Sequence, residues 1–193
     1  MPSPVVVGYE FVNVVTTLTN GVEEVVYRSR GMTDLVEGAT NAFIEVEEQP
    51  LEIVVVGDTW WARDDEEWKP TSSDELSWRF LFFAPLTPED MSGLTTGPGK
   101  SSQLIGEESL LGLSVRHERL DTELIFGFDP TAEPEEASID RWVTDQGVVL
   151  RLEFRLGDDP GGGWLMSLWE VVSVNPPIEI SIPPSDDGPA TDR

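Results

Sequence analysis

The chain has 193 residues, 39% of them hydrophobic, with 37 Asp and Glu against 12 Lys and Arg and a formal net charge of -25. At about 150 residues per domain this is one domain with material for one sizeable core, and its field repels phosphate backbones, which excludes nucleic acid as a partner. Without cysteine and with a single histidine, His117, disulfides, thiolate nucleophiles and cysteine or multi-histidine metal sites are excluded too.

The opening MPSPVVVGYE lacks the charged start and apolar stretch of a secretory signal, and no run approaches the roughly 20 apolar residues of a membrane span. From Gly8 onward the dominant pattern is two-residue alternation, the mark of half-buried strands. GYEFVNVVTTLTNGVEEVVYRSRG predicts two strands joined at Asn20-Gly21, a dipeptide suited to a tight hairpin. AFIEVEE and LEIVVVG flank a turn signal at Pro50, and TWWAR follows Gly57-Asp58. The second half predicts further strands at SQLIGEE, LLGLSVRHERL, TELIFGF, SIDRWVT, GVVLRLEFRL, WLMSLWEVVSV and PIEISIPP.

In GVVLRLEFRL the residues Val148, Leu150, Leu152, Phe154 and Leu156 fall on one side and Arg151, Glu153 and Arg155 on the other. One dry and one wet face mean an antiparallel sheet covered on a single side. The covering helices are predicted between Ser72 and Leu94. Ser73 caps the first, Asp74 and Glu75 favour its opening turn, and Leu76, Phe80 and Phe83 recur at helical spacing. TPEDMSGL signals the second, with Thr87 as cap, Pro88 at the first helical position and Asp90 three residues after the cap.

GLTTGPGKSS, residues 93–102, has the look of a phosphate-binding loop but not its requirements. Five residues rather than four separate Gly93 from Gly99, Pro98 removes a backbone donor, and the segment leaves a helix to enter a strand, the reverse of the polarity such a loop needs. It reads as a connecting loop that carries Lys100, one of two lysines. After Pro183 the polar PSDDGPATDR has nothing to bury, so residues 1–184 form the predicted domain and 185–193 a disordered tail.

Catalytic and metal chemistry finds little footing. His117, in phase with Leu111, Leu113 and Val115, is read as a hydrogen-bonded structural histidine turned toward the covered side. The acidic runs DDEE at 64–67 and DPTAEPEE at 129–136 lack the spacing that pre-arranges calcium ligands and read as solvated loops. No particular pair of carboxylates stands out as a hydrolase dyad. The seven tryptophans are more informative, because an aromatic-rich interior under a sheet suits an apolar guest at about 0.8 kcal/mol per buried CH2.

GDTWWARDDEEWKP, LIGEESLLGLSVRHERL with its Gly106, Glu108 and Gly112, DRWVTDQGVVLRLEF leading to Arg151, and VNPPIEISIPP occur in an order that resembles the bacterial lipoprotein-carrier superfamily of the LolA and LppX type. The resemblance spans most of residues 8–184. It implies an α+β fold, a strongly curved, mostly antiparallel half-barrel whose concave face is plugged by one or two helices around a hydrophobic cavity. It also implies a non-enzymatic, extracytoplasmic protein at the cell surface or in the periplasm, peripheral to the membrane through a lipid anchor that lies outside this chain. The family's N-terminal helix is missing from the pattern. The expected partner is an apolar ligand such as a lipid or acyl chain, with no cofactor. Candidate cavity residues are Leu76, Phe80, Phe83, Leu86, Met91 and Leu94 from the plug and Leu152, Phe154, Met166 and Leu168 from the sheet. The alternative is an envelope domain on the same fold that binds another envelope protein and has a packed interior.

Overall fold

The structure is a computed structural model that describes residues 4–19, 21–46, 49–63, 67–72, 101–120, 136–159 and 163–183. These contain eleven strands: β1 (Gly8–Thr19), β2 (Val22–Asp34), β3 (Ala39–Val46), β4 (Gln49–Val56), β5 (Thr59–Arg63), β6 (Lys69–Thr71), β7 (Ser102–Leu110), β8 (Leu113–Leu120), β9 (Glu136–Thr144), β10 (Val149–Asp159) and β11 (Gly163–Val174). All belong to one sheet in the order β6-β5-β4-β3-β2-β1-β11-β10-β9-β8-β7, with every neighbour antiparallel. Two meanders thus grow outward from a central seam between the first strand and the last. Among the described residues no pairing joins β6 to β7, so the sheet is open rather than a closed barrel.

Most predicted strands are present, and the differences have local causes. Pro50 lies inside β4 opposite Glu45 instead of marking the turn. LLGLSVRHERL is not one strand, because Leu111 (φ 51°) and Gly112 (φ 77°) form the two-residue connection between β7 and β8. Positive φ at both central positions matches the primed hairpin turns, whose twist suits the flanking strands. The stretch at PIEISIPP is not a strand in its described part, residues 177–183, where Pro176 and Pro177 offer no N–H to a ladder. The short β6 was not expected. No helix occurs among the described residues; the predicted helices after Ser72, the strand at TELIFGF and the tail 185–193 lie outside them.

Register shifts interrupt five ladders: at Glu10/Phe11, Val15/Thr16, Leu104/Gly106, Val149/Arg151 and Gly157/Asp159. Such bulges bend a strand and sharpen its twist.

The chain's entry and exit are clamped together beside the seam. Asn175, held at φ 53°, accepts the Val7 N–H on Oδ1 at 2.8 Å and donates Nδ2 to the Val5 carbonyl at 2.8 Å, while its backbone N–H reaches the Gly8 carbonyl at 2.8 Å. Gln146 fixes the same segment by accepting the Val6 N–H at 3.1 Å and donating to the Pro4 carbonyl at 2.9 Å. Asn tolerates the left-handed backbone and alanine does not. Asn175→Ala, which also removes both side-chain bonds, is expected to lower stability by about 2 kcal/mol, read as a lower urea midpoint with an unchanged slope.

Candidate functional site

The cross-strand registers sort the side chains into two faces. One row runs Leu51, Ile44, Ser29, Asn13, Trp169, Leu152, Arg141 and Glu118 across the eight strands from β4 to β8. Flanking rows on the same face are Ala62, Ile53, Ala42, Gly31, Phe11 and Val171 on one side and Tyr27, Val15, Ser167, Phe154, Ile139 and Leu120 on the other. Phe11, Ala42, Ile44 and Ile53 are each 1% exposed. This is the dry face, and it stretches from β5 to β8.

Its centre is aromatic. Trp169 stacks on Phe11 with centroids 5.5 Å apart and planes at 24°, and Tyr9 meets Trp169 edge-on at 5.8 Å and 87°. Both are favourable arrangements of ring quadrupoles. Polar groups interrupt the apolar surface only where they are neutral or paired. The Ser167 hydroxyl donates to Asn13 Oδ1 at 3.2 Å, and Thr33 and Thr40 share a hydroxyl bond at 3.1 Å. Burial raises the Tyr27 phenol above its ordinary pKa, so it stays uncharged. Arg141 donates through Nε and Nη2 to Glu118 Oε2 at 2.9 and 2.6 Å.

The opposite face is a charged ladder. Its central row reads Arg63, Glu52, Phe43, Arg30, Val12, Glu170, Arg151, Trp142 and His117. Arg63 pairs with Glu52, Arg30 lies 5.9 Å over Phe43, and Arg151 lies 4.8 Å over Trp142, whose other neighbour is the stacked ring of His117 at 4.2 Å. His117 Nδ1 is 3.2 Å from Glu108 and Nε2 is 3.0 Å from Asp140, which also receives Arg119. Both imidazole nitrogens are therefore engaged by carboxylates in a stacked, positioned ring. These contacts hold the ring on the face opposite Leu152 and Phe154, in phase with the buried Leu113 and Val115. Among the described residues no group of three or more His, Cys, Asp or Glu is arranged to hold a metal ion.

The registers also place the predicted sheet residues. Leu152 and Phe154 lie on the dry face, 5% and 4% exposed. Met166 and Leu168 do not, because they pair with Arg155 and Glu153 and so belong to the charged side; Ser167 and Trp169 occupy the dry face of β11 instead. In WLMSLWEVVSV both phases are largely apolar, so alternation alone left the phase open. The usable signal was Glu170, which shares its phase with Met166 and Leu168. Leu76, Phe80, Phe83, Leu86, Met91 and Leu94 lie outside the described residues.

The class that this geometry defines is an open, wholly antiparallel sheet with one apolar and one charged face. No protein-family model matches the sequence, and none of the curated proteins compared with it matches either. Among solved structures the chain is similar to the lipoprotein LppX of Mycobacterium tuberculosis, with 15% identity, a TM-score of 0.48 and coverage of 91% of this chain and 90% of that one. It is also similar to LprF of Mycobacterium bovis, with 13% identity, a TM-score of 0.42 and coverage of 92% and 90%. A LolA superfamily protein of Nitrosomonas europaea is similar at 14% identity, a TM-score of 0.36 and coverage of 86% and 84%. Likeness at these scores leaves the reading of function to the geometry of the chain itself.

Proposed function

We propose that this protein is a non-enzymatic binding or carrier protein of the cell envelope, acting outside the cytoplasm, that holds an apolar ligand such as a lipid or acyl chain against the dry face of its sheet. The observation that carries this reading is the extent of that face, which is mostly apolar from Ala62 on β5 to Phe154 on β10 while the central row of the reverse face carries Arg63, Glu52, Arg30, Glu170 and Arg151. A single sheet must bury such a surface against something, and a lipid chain supplies about 0.8 kcal/mol per CH2 with no need for catalytic groups. The ligand side chains proposed are Leu152, Phe154 and Trp169 from the sheet and Leu76, Phe80, Phe83, Leu86, Met91 and Leu94 from the segment after Ser72.

A second reading, an interaction domain that binds another envelope protein, is favoured by the near-complete burial of Phe11, Ile44 and Ile53, which suits a filled interior. Native mass spectrometry of the protein purified from a bacterial host, followed by solvent extraction, separates the two. The carrier reading expects a population heavier than the sequence mass that releases an extractable lipid, together with uptake of a fluorescent acyl lipid. A clean apo mass with no uptake selects the second reading.

A further inference from the structure

Trp169 stands in the middle of the dry face, between Asn13 on β1 and Leu152 on β10, and is 2% exposed. Its ring is fixed by Phe11 beneath and Tyr9 at its edge, so the direction of its indole N–H is fixed as well. That buried Nε1 has no hydrogen-bond partner among the described residues. Folded proteins leave few such donors unanswered, and each one calls for an explanation. Its neighbour across the seam, Asn13, accepts the Ser167 hydroxyl on Oδ1 and makes no bond to the indole. The nearest charged pair in the row, Arg141 with Glu118, lies beyond Leu152, and its two members are bonded to each other.

We propose that Trp169 is a specificity-determining residue whose indole N–H, fixed on the dry face and unpartnered there, donates to the carbonyl oxygen of a bound acyl ester. The inference rests on the carrier reading and narrows its ligand from apolar molecules in general to acyl lipids. A neutral carbonyl fits because an ionised group on this surface would lose its hydration with no free counter-charge beside it. A hydrocarbon of equal length gains the same apolar burial but leaves the donor unmade, and the difference between a satisfied and an orphaned buried donor corresponds to about tenfold or more in affinity. Fixing the donor in advance adds to this, since little conformational freedom remains to be lost on binding.

The test uses the full chain, with two pyrene-labelled probes of equal length, a long-chain methyl ester and the corresponding hydrocarbon, delivered from phosphatidylcholine vesicles. Wild type is expected to take up the ester about tenfold more tightly. Trp169→Phe, which keeps an aromatic ring and removes the N–H, is expected to bring that preference below about twofold while leaving hydrocarbon uptake in place. In parallel, the indole 15N–1H resonance of Trp169 in wild type, assigned through its contacts with the Phe11 ring, is expected to shift on addition of the ester and not of the hydrocarbon; this reading holds even where the variant does not fold. Equal uptake of the two probes, a preference that survives Trp169→Phe, or an indole resonance indifferent to the ester overturns the inference and leaves the carrier reading standing. Uptake of neither probe by wild type overturns both.

Discussion

Gly31→Ala is expected to destabilise the protein by about 3 kcal/mol or more, although glycine to alanine within a strand ordinarily stabilises through backbone entropy. Gly31 on β2 faces Phe11 on β1 and Ala42 on β3. A methyl group there would fall 2.7 Å from Phe11 Cζ and 2.9 Å from Cε1, and would collide with the backbone carbonyl of Asn41. Neither neighbour has room to yield. The Phe11 ring is stacked on Trp169, and the Asn41 carbonyl belongs to the ladder between β2 and β3. The missing side chain is thus the space that the Phe11 ring occupies, a pairing of aromatic and glycine across strands. Gly106→Ala is the matched control, because a methyl group there meets nothing within 4 Å, and its effect is expected within about 0.5 kcal/mol. Urea unfolding of the two variants decides the matter: similar midpoints would remove the argument, whereas a large loss at residue 31 that Phe11→Leu partly restores would locate the clash at that ring.

The sequence disclosed those features that alternation and turn chemistry report locally. GVVLRLEFRL showed its dry phase because arginine and glutamate fill the other phase, and Leu152 and Phe154 were read from it. Gly57-Asp58 announced the β4–β5 turn, and Asn20-Gly21 the one between β1 and β2. The β7–β8 turn stayed hidden because a leucine occupies one of its two positive-φ positions, where glycine or asparagine is the usual signal. Asn13 concealed the phase of β1, since FVNVV offers valines at the alternate positions and a polar residue where the dry face runs. What makes that position tolerable is Ser167, 154 residues away, and no local pattern carries such a pairing. The same holds for Trp169. That it is aromatic was plain from the chain, but its place between Asn13 and Leu152 depends on two registers formed only when the first strand meets the last.

The Glu118–Arg141 pair on the dry face sets the second large expectation. Arg141→Met is expected to cost about 3 kcal/mol. The two side chains are only 10% and 15% exposed, so each has given up most of its hydration, and Glu118 is compensated chiefly by Arg141. With the guanidinium gone, Glu118 keeps Arg116 at 3.4 Å, itself 47% exposed and screened by solvent, which is too weak a partner to hold a carboxylate in an apolar row. The loss measures the stranding of a charge rather than the worth of the pair, and the two quantities separate in the double variant. Glu118→Leu with Arg141→Met leaves no charge to strand and extends the row already formed by Trp169 and Leu152, so the expectation is recovery to within about 1 kcal/mol of wild type or better. A double variant as unstable as Arg141→Met alone would mean that the pair performs a structural task that apolar side chains cannot take over. Recovery with full stability would instead show that folding does not require these charges, and that they limit how far along the sheet the apolar face extends.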